Sequence, residues 1–278
     1  MDSILCLTDY HLNSAQPFLY GLHLTRHLHN DLYIAHIKDG ADFKVQEDKG
    51  DLAEIEDKEQ VEELQKLRQF IQANIAPNDQ KLPIRGVIAG GSLWDSIETL
   101  TEQYDADLII MGMRNRMGLA GRIFGGLSAR MINYSEAPVL MTPPGTQFTP
   151  ISNVVYATDF DVANLASIEK MVAWCQALDA HLYLVHVNDD PAEKIWAKQQ
   201  MEKIMRAVEE DNEDRQVSFT VLEGEDIMDH LERYMQEVKA DLIALTANRK
   251  GFWDRIFRSG LAHEIIQEVN IPVLIFKS

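Results

Sequence analysis

The apolar positions of this chain follow two alternating patterns. Short runs of β-branched and aliphatic residues, such as Ile4-Leu5-Cys6-Leu7 and Val154-Val155-Tyr156-Ala157, give way to longer stretches in which apolar residues recur every three or four positions. The first pattern suits strands buried on both faces and the second suits amphipathic helices. The runs predict strands near 3–7, 32–37, 83–88, 107–111, 138–142, 153–157, 182–187, 217–222, 241–245 and 272–277. Phe18, Leu19, Leu22 and Leu28 mark a first helix, with Pro17 tolerated near its start. Ile55, Leu64, Leu67 and Ile71 predict a second helix over about 52–75, and Trp94, Ile97 and Leu100 begin a third. After residue 150, Leu165, Ile168, Met171 and Val172 open the same series, which continues through Ile195, Met201, Ile204 and Val208 to Ile227, Leu231 and Met235. The predicted fold is α/β: two tandem Rossmann-like open parallel β-sheet domains with helices on both faces, joined by right-handed crossovers.

The two halves are copies of one unit. Ile4 to Tyr10 returns as Val154 to Phe160, and Leu32 to Ile37 returns as Leu182 to Val187, both at an offset of 150 residues. Ala106 to Ile109 then returns as Ala240 to Ile243, and Ala137 to Leu140 as Ile271 to Leu274, at an offset of 134, so the second copy is 16 residues shorter in its middle. The segment Pro143-Pro144-Gly145-Thr146-Gln147-Phe148-Thr149-Pro150 interrupts both patterns and places the expected domains at 1–146 and 151–278.

Composition narrows the function classes. Forty-four acidic against 26 basic residues give a formal charge of −18 over 278 residues, which opposes nucleic acid and anionic membrane as partners. No stretch approaches the length of a membrane span, and the start of the chain lacks a basic segment with a long apolar run, so the expected setting is cytoplasmic. Cys6 and Cys175 are the only cysteines and each lies in an apolar run, which makes them core residues and excludes a zinc or redox CxxC site. Residues 42–66 hold ten acids and four lysines, read either as a solvated helix face with a flexible lead-in or as a surface for a basic partner. His23 and His27 share a helix face with His29 close behind; they read as solvated helix residues, since no metalloprotease motif accompanies them. His36 and His186 recur before the ends of the second strands and read as structural or pocket-edge groups.

Ligands of open α/β sheets bind beyond the carboxyl ends of the strands. That directs attention to Thr8-Asp9-Tyr10, Ile37-Lys38-Asp39, Gly90-Gly91-Ser92 and the segment that opens at Gly112. In the last, Arg116 to Phe124 leads into Gly125-Gly126-Leu127-Ser128 and a helical pattern. Glycines just before a helix let backbone amides approach an anion, but tight turns use the same residues for steric reasons. Asp9 and Asp159, each following a strand, are open to two readings as well: ligand contact, or capping of a local turn or helix.

With Asp9 after the first strand and the frame Gly112-x2-Asn115-x9-Gly125-Gly126, the chain resembles a tandem universal stress protein over nearly its whole length. The resemblance implies ATP, with magnesium, as a cofactor of the first domain. Leu7 and Thr8 would flank the adenosine, Ile37 would line the adenine pocket, and Asp9 would face the adenine and ribose. Gly112, Asn115, Gly125, Gly126, Leu127 and Ser128 would enclose the phosphates. Asn115 stands where the family prefers glycine, and Gly126 where it prefers a hydroxyl residue. In the second copy Asp159 is retained, but the glycine frame becomes Thr246-Ala247-Asn248-Arg249 and runs on to Ser259-Gly260, a degenerate phosphate loop.

The resemblance also implies a stress-response regulatory or sensor module without an assigned reaction. Its domains would form a pseudo-dimer within one chain, with a homodimer and a regulatory protein partner as further possibilities. The alternatives are a nucleotide-independent interaction scaffold and a slow ATP hydrolase. Neither GxxxxGK[ST] nor a GxGxxG after an opening strand is present, which disfavours P-loop and hydride-transfer chemistry.

Overall fold

The computed structural model describes residues 1–10, 14–53, 55–113, 131, 135–158, 165–188, 194–209, 216–223, 227–247 and 271–277. The chain divides into two compact units, Met1–Phe148 and Thr149–Ser278.

In the first unit β1 (Ser3–Leu7), β2 (Asp31–Asp39), β4 (Ile84–Gly91), β5 (Leu108–Gly112) and β6 (Val139–Thr142) are parallel, in the order β4-β2-β1-β5-β6. A two-residue strand, β3 (Gln46–Glu47), adds antiparallel to the outer edge of β4. The helices are α1 (Ala15–Leu28), α2 (Lys58–Asn74) and α3 (Leu93–Gln103). A Cβ on Gly86 would meet Leu67 of α2, whereas one on Gly91 would meet Ser96 of α3. Successive strand residues point to opposite faces, so α2 and α3 cover opposite faces of the sheet. Ile4, Leu5, Leu32, Ile34, Leu64, Leu67, Val87, Leu108 and Ile110 are fully or almost fully buried between these layers. Burying an aliphatic side chain of this size contributes roughly 1.5–3 kcal/mol, so the sheet centre supplies most of the unit's stability.

The second unit has β7 (Asn153–Ala157), β8 (His181–Asn188), β9 (Val217–Glu223), β10 (Leu242–Ala247) and β11 (Val273–Lys277), all parallel, in the order β9-β8-β7-β10-β11. Its helices are α4 (Leu165–Leu178), α5 (Lys194–Glu209) and α6 (Ile227–Glu237). Ile168, Met171 and Val172 of α4 and Leu231 and Met235 of α6 bury against this sheet, as the helical spacing predicts. All ten expected parallel strands are present, and the strand order of the two units is the same.

The structure departs from the sequence reading at two places. Helix α2 begins at Lys58 rather than near residue 52, because the Asp57 carboxylate accepts from the amides of Glu59 at 2.8 Å and Gln60 at 3.5 Å and caps the helix there. Ile55 instead closes a turn onto the carbonyl of Leu52. His23 is not solvated: 6% exposed, it packs between the rings of His27 and Phe148, and burial pushes its pKa down to about 4. Cys6 and Cys175 are buried as expected, and burial raises both thiols, Cys175 to about 12, which leaves them unreactive.

Candidate functional site

Strand β1 stops short between its neighbours. Its pairing with β2 ends at Leu7 opposite Ala35, followed by one bond from the Thr8 amide to the Ala35 carbonyl at 2.9 Å. Strand β2 runs on to Asp39, paired with β4 alone. On the other side Cys6 lies opposite Ile110, which brings Thr8 level with Gly112 at the end of β5. The order in which the parallel strands are added switches sides at this point, with β1 connecting to β2 on one side while β5 lies on the other. Such a switch point leaves a crevice beyond the strand ends.

The turn at the mouth of this crevice is held from every side. The Asp9 amide donates to the Ser14 hydroxyl at 3.2 Å, and that hydroxyl donates back to Asp9 Oδ1. Ser14 is the N-cap of α1, yet its hydroxyl makes no bond to the helix, so it serves Asp9 instead. The Tyr10 amide donates to Thr8 Oγ1 at 3.1 Å. Tyr10 adopts φ of 63°, a left-handed conformation that is costly for a bulky residue and is kept only where surroundings enforce it. Here its ring stacks on His36 at 4.1 Å and its hydroxyl donates to the Glu63 carbonyl at 3.3 Å.

Glu63 of α2 joins this turn to a charged cluster. Its side chain is 5% exposed and accepts from Lys38 at 3.1 Å and Lys66 at 3.0 Å, with His36 Nε2 3.7 Å away. Burial alone would raise the Glu63 pKa, but the two ammonium groups outweigh it and hold the carboxyl below its usual range. Burial is also the larger influence on His36 and lowers its pKa, against the opposing pull of the Thr8 carbonyl and Glu63, so the ring is neutral at pH 7. Burial, helped by Glu63, raises the Tyr10 hydroxyl well above its ordinary range.

Of the residues singled out in the sequence, Leu7, Thr8, Asp9, Ile37 and Gly112 converge at the ends of β1, β2 and β5. Thr8 is 7% exposed and Ile37 is half-buried on the sheet face opposite His36. Asn115, Gly125, Gly126, Leu127 and Ser128 lie outside the described residues, as does Asp159. Gly90-Gly91-Ser92 forms the turn from β4 into α3, where the Asp95 amide donates to Ser92 Oγ at 3.3 Å. Gly90 has a separate packing role: a Cβ there would lie 2.8 Å from the Ala41 carbonyl oxygen and 2.9 Å from Phe43 backbone atoms, so only glycine lets the strap formed by the segment after β2 pass this close to β4.

The second unit repeats the start of this arrangement. The Thr158 amide donates to the Val185 carbonyl at 2.9 Å and His186 Nδ1 lies 2.9 Å from the Thr158 carbonyl, as His36 Nδ1 lies 2.9 Å from that of Thr8. Periodicity alone did not reveal the clamp of Tyr10, His36 and Glu63. The recurring histidines were its one visible trace.

A model of the universal stress protein family matches residues 1–143 and again residues 150–277. The chain belongs to the universal stress protein family. Each unit of this universal stress protein is one family domain, in keeping with the repeated strand order. A universal stress protein from Archaeoglobus fulgidus DSM 4304 is 17% identical over 99% of this chain and 96% of its own, with a TM-score of 0.70. A functionally unknown protein from Pseudomonas aeruginosa PAO1 is 15% identical over 100% and 92%, with a TM-score of 0.65. At these identities the likeness is one of fold. A shorter universal stress protein, solved in complex with cAMP, is 18% identical over 46% of this chain and 98% of its own, with a TM-score of 0.36. No curated protein matches the sequence. Among the described residues of this universal stress protein, no helix is long and apolar enough to cross a membrane and no group of three or more His, Cys, Asp or Glu could hold a metal ion.

Proposed function

We propose that the first domain is an ATP-binding regulatory or sensor module that acts through association or loop order rather than through a reaction of its own. The observation that carries this reading is the crevice at the switch point, with Thr8 and Asp9 at the end of β1, Ile37 on the overhanging part of β2 and Gly112 at the end of β5. Strand ends of this kind present backbone amides and carbonyls that a nucleotide can use. The glycine frame from Gly112 to Ser128 supplies amide donors in sequence for the phosphates, and magnesium would ride on the phosphate oxygens with few protein ligands. The second domain, whose frame has Arg249 or Lys250, according to the register of the count, in place of glycine, is read as a paired scaffold. The cytoplasmic setting belongs to the same reading.

Titration calorimetry of nucleotide-stripped protein with ATP and magnesium tests it, repeated with Gly125→Arg once that variant is shown to fold. Saturable binding near one site per chain that Gly125→Arg abolishes is the expected result. Absence of binding by the folded parent overturns it.

One observation favours a second reading, a nucleotide-independent interaction scaffold. Asp9 Oδ1 is already engaged by the Ser14 hydroxyl, which is the capping role open to a strand-end aspartate. If that is the whole role of Asp9, Asp9→Asn leaves ATP affinity unchanged while lowering stability.

A further inference from the structure

In both domains the carbonyl of the residue that follows the first strand is engaged by a histidine side chain from the second strand. The distances are the same, 2.9 Å from His36 Nδ1 to the Thr8 oxygen and 2.9 Å from His186 Nδ1 to the Thr158 oxygen. A carbonyl oxygen can only accept, so Nδ1 carries the proton in each ring and the tautomer is fixed by its partner.

The Thr8 carbonyl belongs to the peptide that leads into Asp9. His36 holds the oxygen of that peptide, and Ser14 Oγ holds its N–H at 3.2 Å. The plane of the peptide is therefore pinned at both ends, immediately before the Asp9 side chain. The same imidazole forms the surface on which the Tyr10 ring stacks at 4.1 Å, at the residue whose φ of 63° turns the chain away from β1. Helix α2 backs the ring through Glu63, whose carboxylate lies 3.7 Å from Nε2 and whose carbonyl takes the Tyr10 hydroxyl. One side chain thus sets both the peptide before Asp9 and the turn after it. A side chain held this way from behind preorganises the groups in front of it, which is where binding sites lose affinity when support is removed.

We infer that His36 is a positioning residue for the nucleotide site, orienting the Thr8–Asp9 peptide and the Tyr10 turn toward the ligand without touching it. This rests on the ATP reading of the first domain. His186 keeps the same bond in the second domain, where the glycine frame is lost, and so provides an internal control.

The test uses the full chain. His36→Phe keeps a ring for Tyr10 but removes the donor, His36→Asn places an amide N–H near the Nδ1 position, and His36→Gln places one near Nε2. By ATP titration, His36→Phe and His36→Gln are expected to bind at least about tenfold more weakly, His36→Asn within about threefold of the parent, and His186→Phe unchanged. Amide hydrogen exchange provides a ligand-free readout: Asp9 and Tyr10 should exchange at least about tenfold faster in His36→Phe, with Cys6 unaffected. A purely structural role predicts equal losses of thermal stability in His36→Phe and His186→Phe, with no selective loss of ATP affinity, and that result overturns the inference. Unaltered exchange at Asp9 and Tyr10 overturns it as well. If the parent binds no ATP, the nucleotide reading and the positioning role toward it both fail. Faster exchange at Asp9 and Tyr10 would then show only that His36 shapes the turn, and a destabilised His36→Phe leaves His36→Asn against His36→Gln to decide.

Discussion

Between the second and fourth parallel strands the first domain carries 16 residues that the second lacks, and the difference shows at the edge of the sheet. In the first domain the added chain crosses the sheet edge. The Gly90 amide donates to the Phe43 carbonyl at 3.2 Å, β3 pairs with β4, and the Asp48 amide reaches the Gly86 carbonyl at 2.8 Å. Arg68 of α2 fastens the far end of the strap with a two-pronged bond to Asp48 and a further one to the Gly50 carbonyl at 2.9 Å. In the second domain, among the described residues, β9 is the outermost strand. Register makes the contrast sharp: Lys38 lies opposite Gly90, whereas the equivalent Asn188 lies opposite Glu223. A glycine stands where a strap must pass and a glutamate stands in the other copy. An inserted segment therefore leaves its signature on a strand it merely touches.

The largest effect that would sharpen this comparison is a greater acid sensitivity of the first domain. His23 is buried and neutral, with a pKa lowered from 6.5 to about 4 by burial first and by His27 and Arg26 after it, while the position 150 residues on is Ala173. The folded domain binds fewer protons than the unfolded one between those two values. Stability present above pH 6.5 is thus lost as pH falls toward 4, by up to about 3 kcal/mol, and the loss levels off below that pH. Amide exchange at pH 7 and pH 4.5 should show the first domain opening more in acid, and His23→Gln should flatten the slope. An equal response in both domains would break the contrast.

Next in size is the exchange of the two register-matched residues. Gly90→Glu drives a Cβ into the strap backbone, at an expected cost of about 2 kcal/mol in denaturant unfolding. Glu223→Gly, at the register-matched position of the second domain, should cost about 0.5–1 kcal/mol through backbone entropy. Comparable costs would mean that Gly90 is not shaped by its neighbour. Arg68→Gln comes third, at about 1 kcal/mol near neutral pH. The Arg68 guanidinium holds the Asp48 carboxyl below its usual range, so this contribution is present above the ordinary carboxylate range and disappears as pH falls through the lowered value. Parent and variant should converge in stability once the pH is low enough to protonate Asp48 in the folded parent. The smallest effect is Asp57→Ala, about 0.5–1 kcal/mol, read as loosened exchange in the first turn of α2.

The alternation of buried strands and amphipathic helices made the fold legible, because a parallel sheet covered on both faces needs unbroken apolar runs such as Ile4 to Leu7 and Leu242 to Leu245. Strand β3 was not legible, since Gln46-Glu47 carries no apolar signal and owes its conformation to main-chain bonds with β4. The start of α2 was misplaced because Leu52 and Ile55 extended the helical spacing upstream of the aspartate that caps it. Burial of His23 depends on Phe148, distant in sequence, and no local pattern announces that contact. At the candidate site Asp9 could be picked out by its place after a strand. The clamp around it depends on a left-handed Tyr10 and on the docking of Glu63, and both arise only from tertiary structure.

Phe148 is the last residue of the first unit, and it is tied back to the start of that unit. Its amide donates to Gln16 Oε1 at 2.6 Å, and its ring meets the edge of Tyr20 at 5.0 Å and packs on His23. The consequence is practical: a first domain produced alone and ended at Pro144 would uncover the flank of α1 and wet His23, whereas one that keeps four more residues takes its own stopper along.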